Sequence, residues 1–174
     1  HVAIIMDGNS RWARQRNLKT IEGHKQGVNR LRDIVKYSAK SEITHLSVFA
    51  FSTENWKRSA SDVSDLMKLF LQSIIKEVPE LIENKVQLNF IGDIPRFSKS
   101  LVSQINSAMK DTQAKKPNLN LNVAISYGGR WDILNAIKKI KDHKINTDKL
   151  SEDDFSNLLS CLLYTSPSPR DTEV

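Results

Sequence analysis

Short apolar runs alternate along this chain with longer stretches of helical period, and that alternation limits the folds open to it. Residues 2–6, 45–51, 86–91 and 119–125 are short and rich in β-branched and aromatic side chains, the composition of strands. Helical patterns occupy residues 24–40, 61–84, 98–114, 130–142 and 151–159. The spacing is clearest in 61–84, where Val63, Leu66, Met67, Phe70, Leu71, Ile74 and Ile75 make one broad apolar face. Asp62 and Asp65 in its first turn complement the helix dipole. Pro79 predicts a kink or break near Val78. Strands that alternate with helices imply βαβ units with right-handed crossovers. The expected fold is α/β: one domain, with a mainly parallel sheet flanked by helices and no internal repeat.

Open sheets of this kind bind ligands beyond the carboxyl ends of their strands, and the unusual residues of this sequence cluster there. Asp7-Gly8-Asn9 follows the first strand, Ser52-Thr53-Glu54-Asn55 the second, Gly92-Asp93 the third and Tyr127-Gly128-Gly129-Arg130 the fourth. A pocket is expected on that rim. Gly8 lets the backbone turn and approach a ligand closely. Asn9-Ser10-Arg11 would open a helix whose free N–H groups favour phosphate, and Arg11 adds a bidentate donor. A carboxylate at Asp7 beside a phosphate cradle calls for a cation between them, and Mg²⁺ fits that arrangement. On these residues alone an equal reading makes Asp7 a helix cap and Arg11 a surface charge.

The formal net charge of +6 and pI of about 9.4 suit anionic partners, without choosing among nucleic acid, lipid head groups and phosphorylated small molecules. No run reaches the roughly 18 apolar residues that cross a bilayer. The single cysteine, Cys161, excludes an intramolecular disulfide and fits a reducing, cytoplasmic setting, although it lies in an atypical tail.

The opening segment HVAIIMDGNSRWA resembles the signature of the cis-prenyltransferases of the undecaprenyl diphosphate synthase kind. Three further segments agree with that family in order and spacing: Gly23-His24-Lys25, the run FAFSTENWKR from Phe49 to Arg58, and Tyr127-Gly128-Gly129-Arg130-Trp131-Asp132. The resemblance covers residues 1–160. It implies condensation of an allylic diphosphate, with farnesyl diphosphate expected, and isopentenyl diphosphate. The product would be a Z-configured polyprenyl diphosphate, the undecaprenyl carrier lipid of cell-wall synthesis being the expected one. By the same resemblance Asp7 would carry Mg²⁺ and help the allylic diphosphate to leave, with Asn9 and His24 assisting proton movement. Gly8, Asn9, Ser10, Arg11, Trp12 and His24 would hold that diphosphate. Ser52, Thr53, Glu54, Trp56 and Arg58 would belong to a loop that closes over the substrates and excludes water. Leu66, Leu69 and Phe70 would line the tunnel for the growing chain. A homodimer in the cytoplasm is implied, with at most peripheral membrane association and no nucleic-acid partner.

Each of these assignments has a plainer rival. His24 beside Gly23 can simply begin a helix, Trp12 and Trp56 can be packing, the 61–84 face can be core, and Gly128-Gly129 can be a tight turn. Departures from the family also count. Thr20 stands where the family commonly has a diphosphate-contacting arginine, with Lys19 as the neighbouring substitute, and Ser10 and Ser126 replace a common glycine and asparagine. The family's downstream arginine- and serine-containing segment and the glutamate that completes the metal site across the dimer have no counterpart, so the chain as written is expected to be inactive. Residues 161–174, CLLYTSPSPRDTEV, have no helical or strand period and resemble translated sequencing adapter. The expected organisation is therefore a partial catalytic domain at 1–160 and a non-native or disordered tail at 161–174.

Three other functions compete. A non-catalytic partner subunit of a cis-prenyltransferase would tend to lose the aspartate of the DGN motif, which is present as Asp7. A basic nucleic-acid-binding module would need an RNP-like segment, zinc spacing or a basic helix, none of which stands out. A different Mg²⁺-dependent phosphate enzyme has no Walker-type loop to support it.

Overall fold

The structure, a computed structural model, describes residues 1–160; the segment 161–174, and the expectation of a foreign tail with it, lies outside the described residues. Four strands, β1 (Val2–Ile5), β2 (His45–Ser52), β3 (Val86–Ile91) and β4 (Leu119–Tyr127), form one sheet in the order β1-β2-β4-β3, and every pairing is parallel. The helices are α1 (Asn9–Arg14), α2 (Thr20–Ala39), α3 (Ala60–Glu83), α4 (Lys99–Asp111), α5 (Gly129–Asp142) and α6 (Glu152–Leu158). Because all pairings are parallel, the four polar turns meet at one rim.

Alternation along the strands decides which face is dry. Leu119, Leu121, Val123 and Ile125 of β4 stand in one row with Val86 and Leu88 of β3 and Leu46 and Val48 of β2. Val35 of α2, Leu66 and Leu81 of α3, and Leu101 and Ile105 of α4 close over that face to make the core. On the other face, part of the row is polar. Asn89 donates to Asn122 at 3.2 Å and Asn122 donates to Ser47 at 3.4 Å, so a row of side chains crosses three strands.

Two irregularities at the β2–β4 seam shape the rim. Phe49 pairs with Ala124 but Phe51 with Ile125, so Ala50 is an extra residue; Ser52 then pairs with Tyr127, leaving Ser126 extra on β4. The first shift turns Phe51 onto the dry face, where it is 1% exposed and meets Trp56, Phe70 and Phe97 with ring centroids 5.2, 6.2 and 6.4 Å away. The second leaves Ser126 fully buried with φ of +48°, a strained setting for a residue with a side chain.

The helices differ from expectation in two places. α2 begins at Thr20 instead of 24, so Gly23 and His24 lie inside its opening turns. α3 runs unbroken through Pro79. Both Pro79 and Ile75 are exposed, so the Ile75 carbonyl that loses its N–H partner faces water, and the expected break is not enforced. Short 3₁₀ turns at Thr53–Lys57, Ile94–Arg96 and Thr147–Lys149 complete the described chain.

Phe51→Ala should destabilise the fold by about 3–5 kcal/mol in a urea titration, because Trp56, Phe70 and Phe97 lose their common partner ring. Ile75→Ala, at an exposed α3 position, should stay within about 0.5 kcal/mol of wild type.

Candidate active site

The turn after β1 is built by a glycine and two charges. Gly8 takes φ of +86° and ends the strand, and α1 starts at the next residue. The Gly8 N–H donates to Oδ1 of Asp7, and Arg11 Nη2 donates to Oδ2 at 3.0 Å. Both side chains are largely exposed, 77% for Asp7 and 68% for Arg11, so this pair contributes little to stability and is open to a competing ligand.

Two glycines on α2 receive this turn. A Cβ at Gly23 would stand 2.1 Å from the Asn9 carbonyl oxygen and 3.1 Å from the Ala13 Cβ. A Cβ at Gly27 would stand 2.7 and 2.8 Å from the side-chain nitrogen and oxygen of Asn9. Residues 23 and 27 are one turn apart on one helix face, so α1 lies directly on the α2 backbone and the Asn9 amide rests over Gly27. His24 follows Gly23 and turns inward. Its Nε2 is buried without a hydrogen-bond partner in the protein. Burial holds its pKa below the ordinary histidine value, Arg58 adds to the lowering, and Asp62 opposes it.

Asn9, His24 and Arg58 border one end of a cavity of about 190 Å³ between α2, α3 and the dry face of the sheet. Inward from them the walls are carbon, supplied by Val28 and Leu31 of α2, Leu66, Leu69 and Phe70 of α3, and Leu121, Val123 and Ile125 of β4. Asp7 sits on the rim between two lining residues, Met6 and Asn9.

The segment after β2 is held against β4. Ser52 and Asn55 form a reciprocal cap, with the Ser52 N–H donating to Asn55 Oδ1 at 3.0 Å. Thr53 packs where a Cβ on Gly128 would intrude, at 2.7 Å from Oγ1. Glu54 is exposed, and hydrogen bonds from its own backbone N–H and from Ser52 hold its carboxyl below the usual range. Trp56 donates its indole N–H to Ser126 Oγ at 2.9 Å, and the Arg96 guanidinium covers its ring at 4.7 Å. Beyond β4, the buried Asp132 accepts from Tyr127 at 3.0 Å and from the Ser160 N–H and hydroxyl, tying the start of α5 to the end of the described chain.

The fold therefore brings Asn9, His24, Arg58, Leu66, Leu69 and Phe70 onto one cavity, with Asp7, Gly8, Ser10 and Arg11 in the turn at its mouth. It does not bring Trp12 or Trp56 to the cavity wall. Trp12 lies under the Arg16 guanidinium at 4.3 Å, and Trp56 packs against Phe51 and Phe97. Ser52, Thr53 and Glu54 build the 3₁₀ turn. Sequence reasoning missed Gly27, whose signal was a second glycine four residues after Gly23 in a helical stretch; Asn55, named there only as part of the turn after the second strand, also lines the cavity. Among the described residues no cluster of three or more His, Cys, Asp or Glu side chains could hold a metal by itself. The lone exposed Asp7 carboxylate beside cationic and amide groups suits Mg²⁺ shared with substrate phosphates, because this ion is commonly bound by one or two carboxylates and a phosphate.

Residues 5–171 match the profile of the family described as "Putative undecaprenyl diphosphate synthase". The chain belongs to this family. An isoprenyl transferase of Neisseria meningitidis is 43% identical over 169 residues, which are 97% of this chain and 66% of that protein. A farnesyl-diphosphate-specific ditrans,polycis-undecaprenyl-diphosphate synthase of Haemophilus influenzae is 44% identical over 157 residues, 90% of this chain and 65% of the relative. The chain thus spans about two thirds of the length of these relatives. Lavandulyl diphosphate synthase of Lavandula x intermedia, solved with dimethylallyl diphosphate, superposes with a TM-score of 0.87 at 32% identity, covering 94% of this chain and 72% of that one. The cis-prenyltransferase family and the parallel α/β fold expected from the motifs are both met.

Two measurements test the site as built. Gly27→Ala should fail to gain the roughly 0.5–1 kcal/mol that alanine normally adds in a helix, since its methyl meets the Asn9 amide. In an Asn9→Ala background the same substitution should recover that gain in chemical denaturation. The lowered His24 pKa sets a second expectation. The unfolded chain protonates this ring first, so stability should fall as pH drops through about 6.5 towards the lowered folded-state value. His24→Gln should flatten the melting temperature across that window; an unchanged slope would put the pH dependence elsewhere.

Proposed function

We propose that this chain carries the allylic-diphosphate half of a cis-prenyltransferase site. The observation that supports this most directly is a single cavity with Asn9, His24 and Arg58 at one end and a carbon-lined interior. A molecule with an anionic head and a hydrocarbon tail matches both ends. In the proposed reaction the C–O bond of the allylic diphosphate breaks and pyrophosphate leaves with the electron pair. The double bond of isopentenyl diphosphate attacks the freed allylic carbon, and a proton is lost from the adjacent carbon to give the new Z double bond.

The chain's own residues have distinct parts in this reading. Gly8 brings the backbone close to the head group, and Arg11 can exchange its exposed pair with Asp7 for phosphate oxygens. Arg58 offers a second cation from the other side of the cavity. His24, held neutral by burial, can donate one N–H to a phosphate oxygen, and the charge of an arriving diphosphate raises its proton affinity. Gly27 keeps the Asn9 amide over the α2 backbone and aimed at the same head group. Asp7 would hold Mg²⁺ against the diphosphate, which would neutralise charge on the leaving group. The 3₁₀ turn with Ser52, Thr53, Glu54 and Trp56 is the segment that would close over the substrates. Leu66, Leu69 and Phe70 receive the hydrocarbon, excluding water from the carbocation-like centre.

The wider reading follows the relatives. The substrates are farnesyl and isopentenyl diphosphates, the product is an undecaprenyl-type carrier lipid, and the full-length protein works as a cytoplasmic homodimer with at most peripheral membrane association. Among the described residues no helix is long and apolar enough to cross a membrane. In this reading the isopentenyl half-site would be supplied by residues outside the matched region, and the chain as written would be inactive without them.

A radiolabel assay with farnesyl diphosphate, isopentenyl diphosphate and Mg²⁺ tests this. It compares the chain as written with one whose residues after Ser160 are replaced by the corresponding segment of a relative. The extended chain should make polyprenyl diphosphate and the original should not, and Asp7→Ala in the extended chain should lower turnover by about 10²–10³-fold. Turnover by the chain as written would show that the additional segment is dispensable. No turnover by a folded extended chain would favour a non-catalytic partner subunit.

A further inference from the structure

Tyr127-Gly128-Gly129-Arg130 lies on the rim, yet none of these residues, nor Ser126 before them, borders the cavity. What the end of β4 does touch is the turn after β2. Ser52 pairs with Tyr127 at the last position of the β2–β4 ladder. Thr53 Oγ1 fills the space beside Gly128, 2.7 Å from where a Cβ would stand. The Trp56 indole N–H donates to Ser126 Oγ at 2.9 Å. Both ends of the 3₁₀ turn Thr53–Lys57 are thereby fastened to β4. Arg58 follows directly, lines the head end of the cavity, and donates its N–H to the Asn55 carbonyl at 3.1 Å. Only Lys57 separates Trp56 from Arg58, so a shift of the indole carries the arginine backbone with it.

Two features of this contact are not explained by folding alone. Ser126 is fully buried at φ of +48°, a conformation that a side chain disfavours and that persists only where the surroundings fix it. The residue is held on both sides, since its carbonyl accepts from the Asp93 N–H at 3.2 Å while its hydroxyl accepts from Trp56. The rings of Phe51 and Phe97 and the Arg96 guanidinium also touch the Trp56 indole, but stacking tolerates sliding and a hydrogen bond does not. The second feature is Gly128. Its φ of −166° and ψ of 139° are extended backbone that any residue adopts, so the glycine serves to leave room for Thr53. Gly129 has open space where its Cβ would be, and nothing in its surroundings requires glycine.

We propose that Ser126 and Gly128 are positioning residues: by docking the turn after β2 onto the end of β4 they set Arg58 at the head end of the cavity. Neither residue touches the substrate. The inference rests on the reading of that end as a diphosphate seat, and it adds the residues that place one of its cations.

Calorimetry with inorganic pyrophosphate and Mg²⁺ on the chain as it stands tests the proposal, together with an NMR titration of the His24 ring. Ser126→Ala should weaken pyrophosphate binding by about three- to tenfold, the range one hydrogen bond supports. In an Arg58→Ala background the same substitution should have no further effect. Ser126→Gly relieves the backbone, so it should melt at a higher temperature than Ser126→Ala and still bind as weakly. Gly128→Ala should weaken binding in the wild-type chain and have no effect in a Thr53→Ala background, and Gly129→Ala should bind as wild type. His24 reports Arg58 without any ligand. Burial and Arg58 lower its pKa and Asp62 raises it, so Ser126→Ala should move it upward, as Arg58→Ala does. Folded Ser126→Ala and Gly128→Ala chains with wild-type affinity and an unmoved His24 overturn the proposal. So does a loss of affinity that persists without Arg58, since it would not act through that residue. A wild-type chain that binds no pyrophosphate overturns the diphosphate reading. The His24 titration then decides the placement of Arg58 by itself: an upward move supports the docking role and an unmoved ring overturns it.

Discussion

The pairing of β4 with β2 on one side and β3 on the other is the constraint on which the other features depend. β4 lies inside the sheet, with Leu119 through Ser126 buried except for Asn120. A parallel strand in that position needs its neighbours to run the same way, so each connection must cross back over the sheet as a helix. That requirement places α2, α3 and α4 over the apolar face and collects the strand ends at one rim. The same strand carries the cavity floor at Leu121, Val123 and Ile125. Its last residues anchor the turn after β2 through the Ser126 hydroxyl and the start of α5 through Tyr127.

On that frame a second constraint builds the mouth. α1 has six residues, too few to be stable alone, and it depends on α2 for support. Gly23 and Gly27 remove the side chains that would hold the two helices apart, so backbone and the Asn9 amide meet α2 directly. The close approach explains why glycines, poor residues in a helix interior, sit in the second and third turns of α2. It also buries His24 beside the contact and deprives its Nε2 of water without supplying a protein partner. A polar atom left in that state is destabilising by itself. Such a cost is common where a ligand completes the site.

The cavity joins these two parts. Its head end is polar and ringed by groups that favour anions, and its interior is lined mostly by carbon. Coulombic attraction selects the head group and hydrophobic burial selects the tail. The two act at different parts of one space, which α2 lines from His24 to Lys36.

Much of this was legible in the residues. The strands at 86–91 and 119–125 were visible because the Leu-Asn-Leu-Asn alternation of β4 and the apolar positions of β3 repeat with period two, a local property of the chain. The helix at 61–84 was visible for the matching reason at period 3.6. The mouth residues Asp7, Gly8, Asn9 and Arg11 could be named because a glycine and short polar groups directly after an apolar strand have few other uses. Other features depend on contacts between residues far apart in sequence. Trp56 lies two residues after Glu54 in a polar segment, yet the Ser126 hydroxyl and the rings of Phe51 and Phe97 hold it against the core. The extra residues Ala50 and Ser126 arise from the register between two strands, which neither strand encodes alone. Pro79 read as a break because its ring conflicts with a helix locally, but the freed carbonyl lies on the water side of α3. Gly27 gained its meaning only when Asn9 was seen resting on it. Arg32 and Lys36 meet Glu77 and Glu80 only because α2 and α3 lie side by side. By itself the sequence determined the class of fold, the rim and the family, because periodicity and contiguous motifs are local. The tertiary structure alone decided which of those residues share a cavity, because that depends on distances across the fold.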